Sequence, residues 1–286
     1  MDSPMANLPW APEGWGRMSA AQRDAAYNNT AAVADAASLH AARATASCIA
    51  RARPGALLDL AYGPGPRNRL DLFPAVDPAA PCLVFVHGGY WQANSKEGFA
   101  AMGEGVRAHG WSVALPGYTL APEARLADIV DEVGAALTFL RREGPRLGVD
   151  GALIVAGWSA GGHLAALALE HPGVVAGLAI SGLFELAPLR DTYLNERLRL
   201  SPAEIAALSP LRRPVVAKPL AIAYGTAELP ALMENSRVFH AHRTRHGAAG
   251  PLLAIEGRNH FTTLPELETP DGVLTRALLS LACSRA

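Results

Sequence analysis

The chain has 286 residues, half of them hydrophobic and only 18% charged, so it can bury a large core and is not a disordered polymer. Its 25 basic and 26 acidic residues leave a net charge of -1, with no cationic excess to neutralise a phosphate backbone, which excludes nucleic acid as an expected partner. Three widely spaced cysteines (Cys48, Cys82, Cys283) make neither a disulfide framework nor a zinc knuckle, Met1-Asp2-Ser3-Pro4 lacks the order of a secretory leader, and no run approaches a membrane span.

In chain order, residues 1–54 are rich in Ala and read as an N-terminal helical arm, with helical character over 19–50. Residues 57–62 and 69–73 read as short strands around the turn Gly63-Pro64-Gly65-Pro66, a tight turn that leaves them open to pairing as an antiparallel edge. The continuous apolar run at 82–87 predicts a strand buried on both faces, and 111–115 repeats it, with a helix expected over 96–109 between them. Leu126, Ile129, Val133, Leu137 and Leu140 recur at three- and four-residue steps, the mark of one apolar helix face ending near Gly144-Pro145. Further strands are expected at 152–156, 174–180, 219–224 and 252–255. Helices are expected from 160 to about 170, over 230–246 and over 271–283. Alternation of this kind predicts an α/β fold, a mostly parallel central sheet with helices on both faces. The stretch of about 184–215 breaks the rhythm and reads as a small cap inserted into the domain spanning 55–286.

The chemistry concentrates at the ends of these strands. Gly157-Trp158-Ser159-Ala160-Gly161-Gly162 follows a buried strand and opens a helix, the setting of a nucleophile elbow. A plain glycine-rich turn would have the same spelling. His87-Gly88-Gly89-Tyr90-Trp91 follows the 82–86 strand. Its paired glycines allow backbone N–H groups to face an oxyanion, and the Ala160 N–H would complete the hole. A serine nucleophile needs a base and the base a carboxylate, in the chain order serine, acid, histidine. Glu228 follows the 219–224 strand and His260 follows the last one. Glu234, further into the next helix, is a rival acid, and Asp191 a weaker one. His87 is expected to brace its loop, and His163 to pack. His240, His242 and His246 resemble a metal cluster in spacing, but no carboxylate completes a HExxH pattern, so no metal is expected. Gly63-x-Gly65 lacks the third glycine and helix of a dinucleotide fingerprint, and no cofactor is expected.

HGGYW at 87–91, GWSAGG at 157–162 and NHF at 259–261 resemble the α/β-hydrolase-fold kynurenine formamidases (arylformamidases), within the hormone-sensitive-lipase-like serine hydrolases. Supporting stretches are YGPGPRNRLDLF at 62–73, SGLFELAPL at 181–189, YLNERLRLS at 193–201 and ELP at 228–230, so the resemblance covers most of residues 55–265 and, more faintly, Tyr27-Asn28. The wider lipase-like group has a third glycine where Tyr90 stands. The resemblance implies an α/β-hydrolase fold, with Ser159 as nucleophile, His260 as base, and Gly88, Gly89 and Ala160 as oxyanion donors. Glu228 falls where the acid lies, a position that is Asp in the animal enzymes. The implied substrate is N-formylkynurenine, its leaving group set against Tyr90, Trp91 and Trp158. Bacterial members that hydrolyse simple esters make a broad short-acyl carboxylesterase the alternative. A hydrolase fold reused as a binding protein is the remote one. A soluble cytoplasmic enzyme acting on a small molecule is expected, with a homodimer open through the edge strand or the arm.

Overall fold

A computed structural model describes residues 10–248 and 250–283. Residues 1–4, read above for a leader, and the start of the arm lie outside them. Three helices open the described chain, α1 (Ala20–Ala25), α2 (Asn29–Ala32) and α3 (Ala36–Arg51). The helical stretch expected over 19–50 is therefore broken twice. Ser19 and Gln22 form a reciprocal capping box at the start of α1, and the Asn28 side chain caps α2.

Eight strands form one sheet, β1 (Leu57–Ala61), β2 (Arg69–Phe73), β3 (Cys82–Val86), β4 (Ser112–Pro116), β5 (Leu153–Trp158), β6 (Val174–Ile180), β7 (Leu220–Gly225) and β8 (Leu252–Ile255). Their spatial order is β1-β2-β4-β3-β5-β6-β7-β8. The β1–β2 and β2–β4 pairs are antiparallel and every other pair is parallel. The helices that follow are α4 (Glu104–Arg107), α5 (Leu126–Glu143), α6 (Ala160–Ala168), α7 (Asn195–Leu198), α8 (Pro202–Leu208), α9 (Pro230–Arg245) and α10 (Val273–Cys283). This is the α/β-hydrolase arrangement.

The two faces of the sheet carry separate cores because side chains alternate along each strand. Cys82, Val84 and Val86 of β3 pack with α5, α6, Trp15 and Tyr27. Leu83 and Phe85 pack with Phe99, Trp158, Phe261 and α10. The apolar stripe of α5 is buried as its spacing requires. The helix expected over 96–109 is instead a 3-10 helix (Lys96–Gly103) running into the single turn of α4. Glycines at 98, 103 and 105 weaken α-helix propensity there. Close packing on β4 also leaves no room at 103, where a Cβ would lie 2.6 Å from Val113 Cγ1.

Two charged networks tie the peripheral segments to the sheet. The wholly buried Asp71 of β2 receives Lys96 Nζ at 2.7 Å and Arg51 Nε of α3 at 2.7 Å. Beyond β6, the buried Glu185 accepts Arg212 Nε at 3.0 and 2.9 Å and the Ala187 N–H at 3.0 Å. It thereby closes the base of the 187–212 excursion, which holds α7, α8 and two short 3-10 turns. The N-terminal segment meets this excursion where Trp15 Nε1 donates to Asp191 at 3.3 Å and the Tyr193 N–H donates to Asp24 at 2.7 Å. Among the described residues, no helix is long and apolar enough to cross a membrane.

Candidate active site

Ser159 stands between β5 and α6 with φ 59° and ψ -119°, a conformation that costs about 1–3 kcal/mol for a non-glycine residue. Its neighbours make the turn feasible. A Cβ at Gly157 would lie 2.0 Å from the Gly161 carbonyl oxygen, and one at Gly161 would lie 2.0 Å from the Val86 carbonyl oxygen. Only glycine fits at either place, so strand and helix close tightly around the serine. The Ser159 N–H donates to the Ile180 carbonyl at 2.8 Å, and the residue is 2% exposed.

The turn after β7 presents Glu228 and the loop after β8 presents His260. Glu228 Oε2 accepts His260 Nδ1 at 2.9 Å. With its proton engaged there, the ring leaves Nε2 as its second, basic nitrogen. Glu228 Oε1 also accepts the Ser181 hydroxyl at 2.6 Å and the Gly225 N–H at 2.7 Å. Three donors therefore converge on one buried carboxylate. The histidine loop is shaped by Asn259, whose Oδ1 accepts the N–H groups of Phe261 and Thr262. The His260 carbonyl accepts Trp158 Nε1 at 2.8 Å, and the two rings lie 4.6 Å apart. Neither rival acid reaches this histidine. Glu234 is half exposed and pairs with Arg237, and Asp191 is held by Trp15 and Arg23.

The loop after β3 faces the serine. A Cβ at Gly88 would lie 2.5 Å from the Trp158 carbonyl oxygen and 3.0 Å from Ser159 Cβ. The Gly88 carbonyl accepts His87 Nδ1 at 2.9 Å and Asn94 Nδ2 at 3.1 Å. Fixing that carbonyl aims the N–H of the same peptide, on Gly89, the opposite way. Among the described residues, the N–H groups of Gly88, Gly89 and Ala160 donate to no protein acceptor. His87 is stacked on Tyr118 at 4.2 Å and, like His163, is pushed down to about 4 by burial. His163 Nε2 donates to the Leu208 carbonyl at 2.8 Å. Both are neutral bracing groups at neutral pH.

Two aromatics sit differently from the sequence expectation. Trp91 has no exposed surface and meets His163 edge-on at 5.0 Å in the α6-side core. Trp158 is 2% exposed and wedged between Phe99 and His260. Trp91 therefore presents no open wall to a leaving group, whereas Trp158 is as buried as Ser159 itself. Tyr90 is half-buried, with its hydroxyl within electrostatic reach of Glu228 and Tyr193. His242 and His246 have ring centres 4.5 Å apart, and His240 bonds the Gly250 carbonyl. Among the described residues no group of three ligating side chains could hold a metal ion. Cys48, Cys82 and Cys283 are free thiols.

The BD-FAE family profile matches residues 70–172. The kynurenine formamidase of Danio rerio is 25% identical over 249 residues, covering 81% of this chain and 84% of that protein. A solved structure from Silicibacter sp. TM1040, provisionally described as a thioesterase, is 32% identical, superposes with a TM-score of 0.81, and covers 90% of this chain and 98% of that one. The chain is an α/β-hydrolase similar to the arylformamidases. It is a hydrolase. The isoprenylcysteine α-carbonyl methylesterase of Arabidopsis thaliana is 28% identical, covering 70% of this chain and 55% of that protein.

Reading an arylformamidase-like hydrolase from its motifs misses the residues that reach the site from other segments. Ser181, at φ 51° just beyond β6, belongs to the SGLFELAPL stretch, but nothing in that spelling says that its hydroxyl meets Glu228. His40 and Arg43 of α3 lie over the histidine loop. His40 packs on Phe261 at 4.8 Å, and Arg43 Nη2 reaches His40 Nδ1 at 3.2 Å. Burial, then the charges of Arg43 and His260, hold His40 below its ordinary pKa.

Proposed function

We propose that the protein is a serine hydrolase of small acyl groups that removes the formyl group from an aryl formamide, with N-formylkynurenine, giving kynurenine and formate, as the substrate. The observations that support this most directly are the 2.9 Å bond from His260 Nδ1 to a buried carboxylate and the strained elbow that holds Ser159. Ser159 Oγ attacks the formyl carbon while His260 Nε2 takes its proton. Glu228 holds the imidazole tautomer and stabilises the imidazolium. The carbonyl oxygen becomes an oxyanion held by the N–H groups of Gly88, Gly89 and Ala160, each such donor being worth about 3 kcal/mol in the transition state. Collapse expels the arylamine, which carries away the proton from His260. Water, deprotonated by His260, then cleaves the formyl ester to formate and restores Ser159. Tyr90 and Tyr193 keep some exposed surface and are the aromatics that this reading sets against the leaving group. In this reading the 184–215 stretch is a cap over the site, the enzyme is cytoplasmic, and the β1 edge is open to a second copy.

The second reading is a short-acyl carboxylesterase. It is favoured by the methylesterase relative and by a Thermogutta terrifontis esterase structure that is 26% identical with a TM-score of 0.63. Measuring kcat/KM on N-formyl-L-kynurenine and on p-nitrophenyl acetate, with Ser159→Ala as the blank, separates the two. A formamidase prefers the formyl anilide by at least a factor of about 10, close to 1.4 kcal/mol of transition-state discrimination. Ester turnover without formamidase activity selects the second reading, and turnover that survives Ser159→Ala removes both.

A further inference from the structure

We propose that the N-terminal segment takes part in catalysis through Asn29, a positioning residue. With the Tyr27 carbonyl it clamps the Tyr90 hydroxyl and so holds the oxyanion loop in its working shape. The proposal rests on the oxyanion reading above and assigns that loop its support.

Gly89, Tyr90 and Trp91 are three consecutive residues with φ of 119°, 50° and 57°. Two of them are not glycine, and left-handed backbone of this kind costs about 1–3 kcal/mol per residue unless the surroundings over-determine it. The Trp91 end is held by several contacts. Its carbonyl accepts the Ala121 N–H at 2.8 Å, its indole is enclosed in the core, and the next side chain, Gln92, donates to the Leu194 carbonyl at 2.8 Å. The Tyr90 end adjoins Gly89, whose N–H is a free donor. Within the loop, His87 and Asn94 hold the Gly88 carbonyl, and the Gly89 carbonyl accepts the Gln92 and Ala93 N–H groups at 2.9 and 3.0 Å, while its tie to the N-terminal segment is the Tyr90 hydroxyl. That hydroxyl donates to the Tyr27 carbonyl at 2.6 Å and accepts Asn29 Nδ2 at 3.1 Å. Burial holds the Tyr90 phenol well above its ordinary pKa, so it stays a donor throughout the working range.

The clamp itself is rigid. Tyr27 is wholly buried, with its ring edge-on to Trp15 at 5.8 Å. Asn29 is 5% exposed at the first position of α2, where the Asn28 side chain caps the Ala31 N–H at 3.1 Å. Stability alone does not account for this arrangement. Asn29 Oδ1 and the Tyr27 hydroxyl are buried without hydrogen-bond partners, and each such atom costs about 1–3 kcal/mol. An apolar residue at 29 would pack there at less cost but could not donate to the Tyr90 hydroxyl.

The test compares Asn29→Ala, Tyr90→Phe and the double variant on p-nitrophenyl acetate, with Ser159→Ala as the blank. Each single change is expected to lower kcat by about tenfold, less than the 10²–10³ of a deleted oxyanion donor, with KM within about twofold. The double variant is expected to be no worse than the weaker single, since both changes break one clamp. Affinity for a trifluoromethyl ketone, which adds Ser159 Oγ to form an oxyanion, is expected to fall in step with kcat. Unfolding midpoints in urea are read alongside, and if Asn29→Ala fails to fold, Tyr90→Phe carries the test by removing a single oxygen. Singles with wild-type kcat, additive losses in the double variant, or a change confined to KM would overturn the clamp while leaving the triad intact. Turnover surviving in Ser159→Ala would overturn the oxyanion reading and the clamp together.

Discussion

Glu228 and Asp71 are both carboxylates with no exposed side-chain surface, and each satisfies three donors. Asp71 lies within β2 and takes the Asp59 N–H at 3.0 Å, Lys96 Nζ and Arg51 Nε. Glu228 lies in the turn beyond β7 and takes the Ser181 hydroxyl, the Gly225 N–H and His260 Nδ1. Their difference lies in the partners. For Lys96, burial works against the charge, but hydrogen bonds to Asp59, Asp71 and Glu97 outweigh it and raise its pKa. Arg51 is raised in the same way. Those cations keep their protons, so the Asp71 network can only fix α3 and the Lys96 segment to the sheet. An imidazole can take a second proton at Nε2 while its Nδ1 proton stays on the ring, donated to the carboxylate. Equal burial thus supports structure in one region and proposed chemistry in the other, and the partner's capacity to titrate separates them.

The comparison breaks most sharply at Glu228. Glu228→Gln is expected to lower kcat by roughly 10³-fold through loss of the correct tautomer and of the charge that stabilises the imidazolium. Glu234→Gln should stay within about twofold of wild type. Steady-state assays of the pair check this, and the reverse ranking would move the acid to Glu234. Lys96→Met should do the opposite. It leaves the Asp71 charge under-compensated in the sheet, so urea unfolding should lose about 3–5 kcal/mol. Its kcat per folded molecule should be unchanged, and a variant as stable as wild type would refute the structural role.

The smallest expected effect extends the comparison to histidines without a carboxylate. His87 and His163 are pushed by burial from 6.5 to about 4. Between those pH values the unfolded chain binds more protons than the folded one, so stability falls as pH drops through the window. At pH 5.5 the loss relative to pH 7.5 should be about 1 kcal/mol for each. His40, His171 and His242, also lowered chiefly by burial, act in the same direction. Glu97, beside Lys96, is lowered to about 2, so its contribution disappears only in stronger acid. Urea midpoints at pH 7.5 and 5.5 measure the effect, and equal midpoints would rule out buried neutral histidines.

Much of this protein was legible because the signals are local. The β3 and β5 runs are apolar throughout, as strands buried on both faces must be, and α5 repeats its apolar residues at helical spacing. Gly157 and Gly161 spell the elbow because atoms 2 Å away forbid a side chain. His260 and Glu228 could be named from their places after successive strands. The 96–109 stretch was harder, since its conformation depends on how closely it packs on β4. Aromatic character did not reveal that Trp91 and Trp158 face inward.

Sequence by itself therefore determined the strands, the regular helices such as α5, the elbow and the chain order of the proposed catalytic groups, all written at separations of a few residues. Tertiary structure alone decided the pairing. Glu228 meets His260 across 32 residues, Ser181 meets Glu228 across 47, and Asn29 meets Tyr90 across 61. No local spacing encodes such contacts, because which buried donor finds which acceptor depends on how the sheet and its flanking segments pack together.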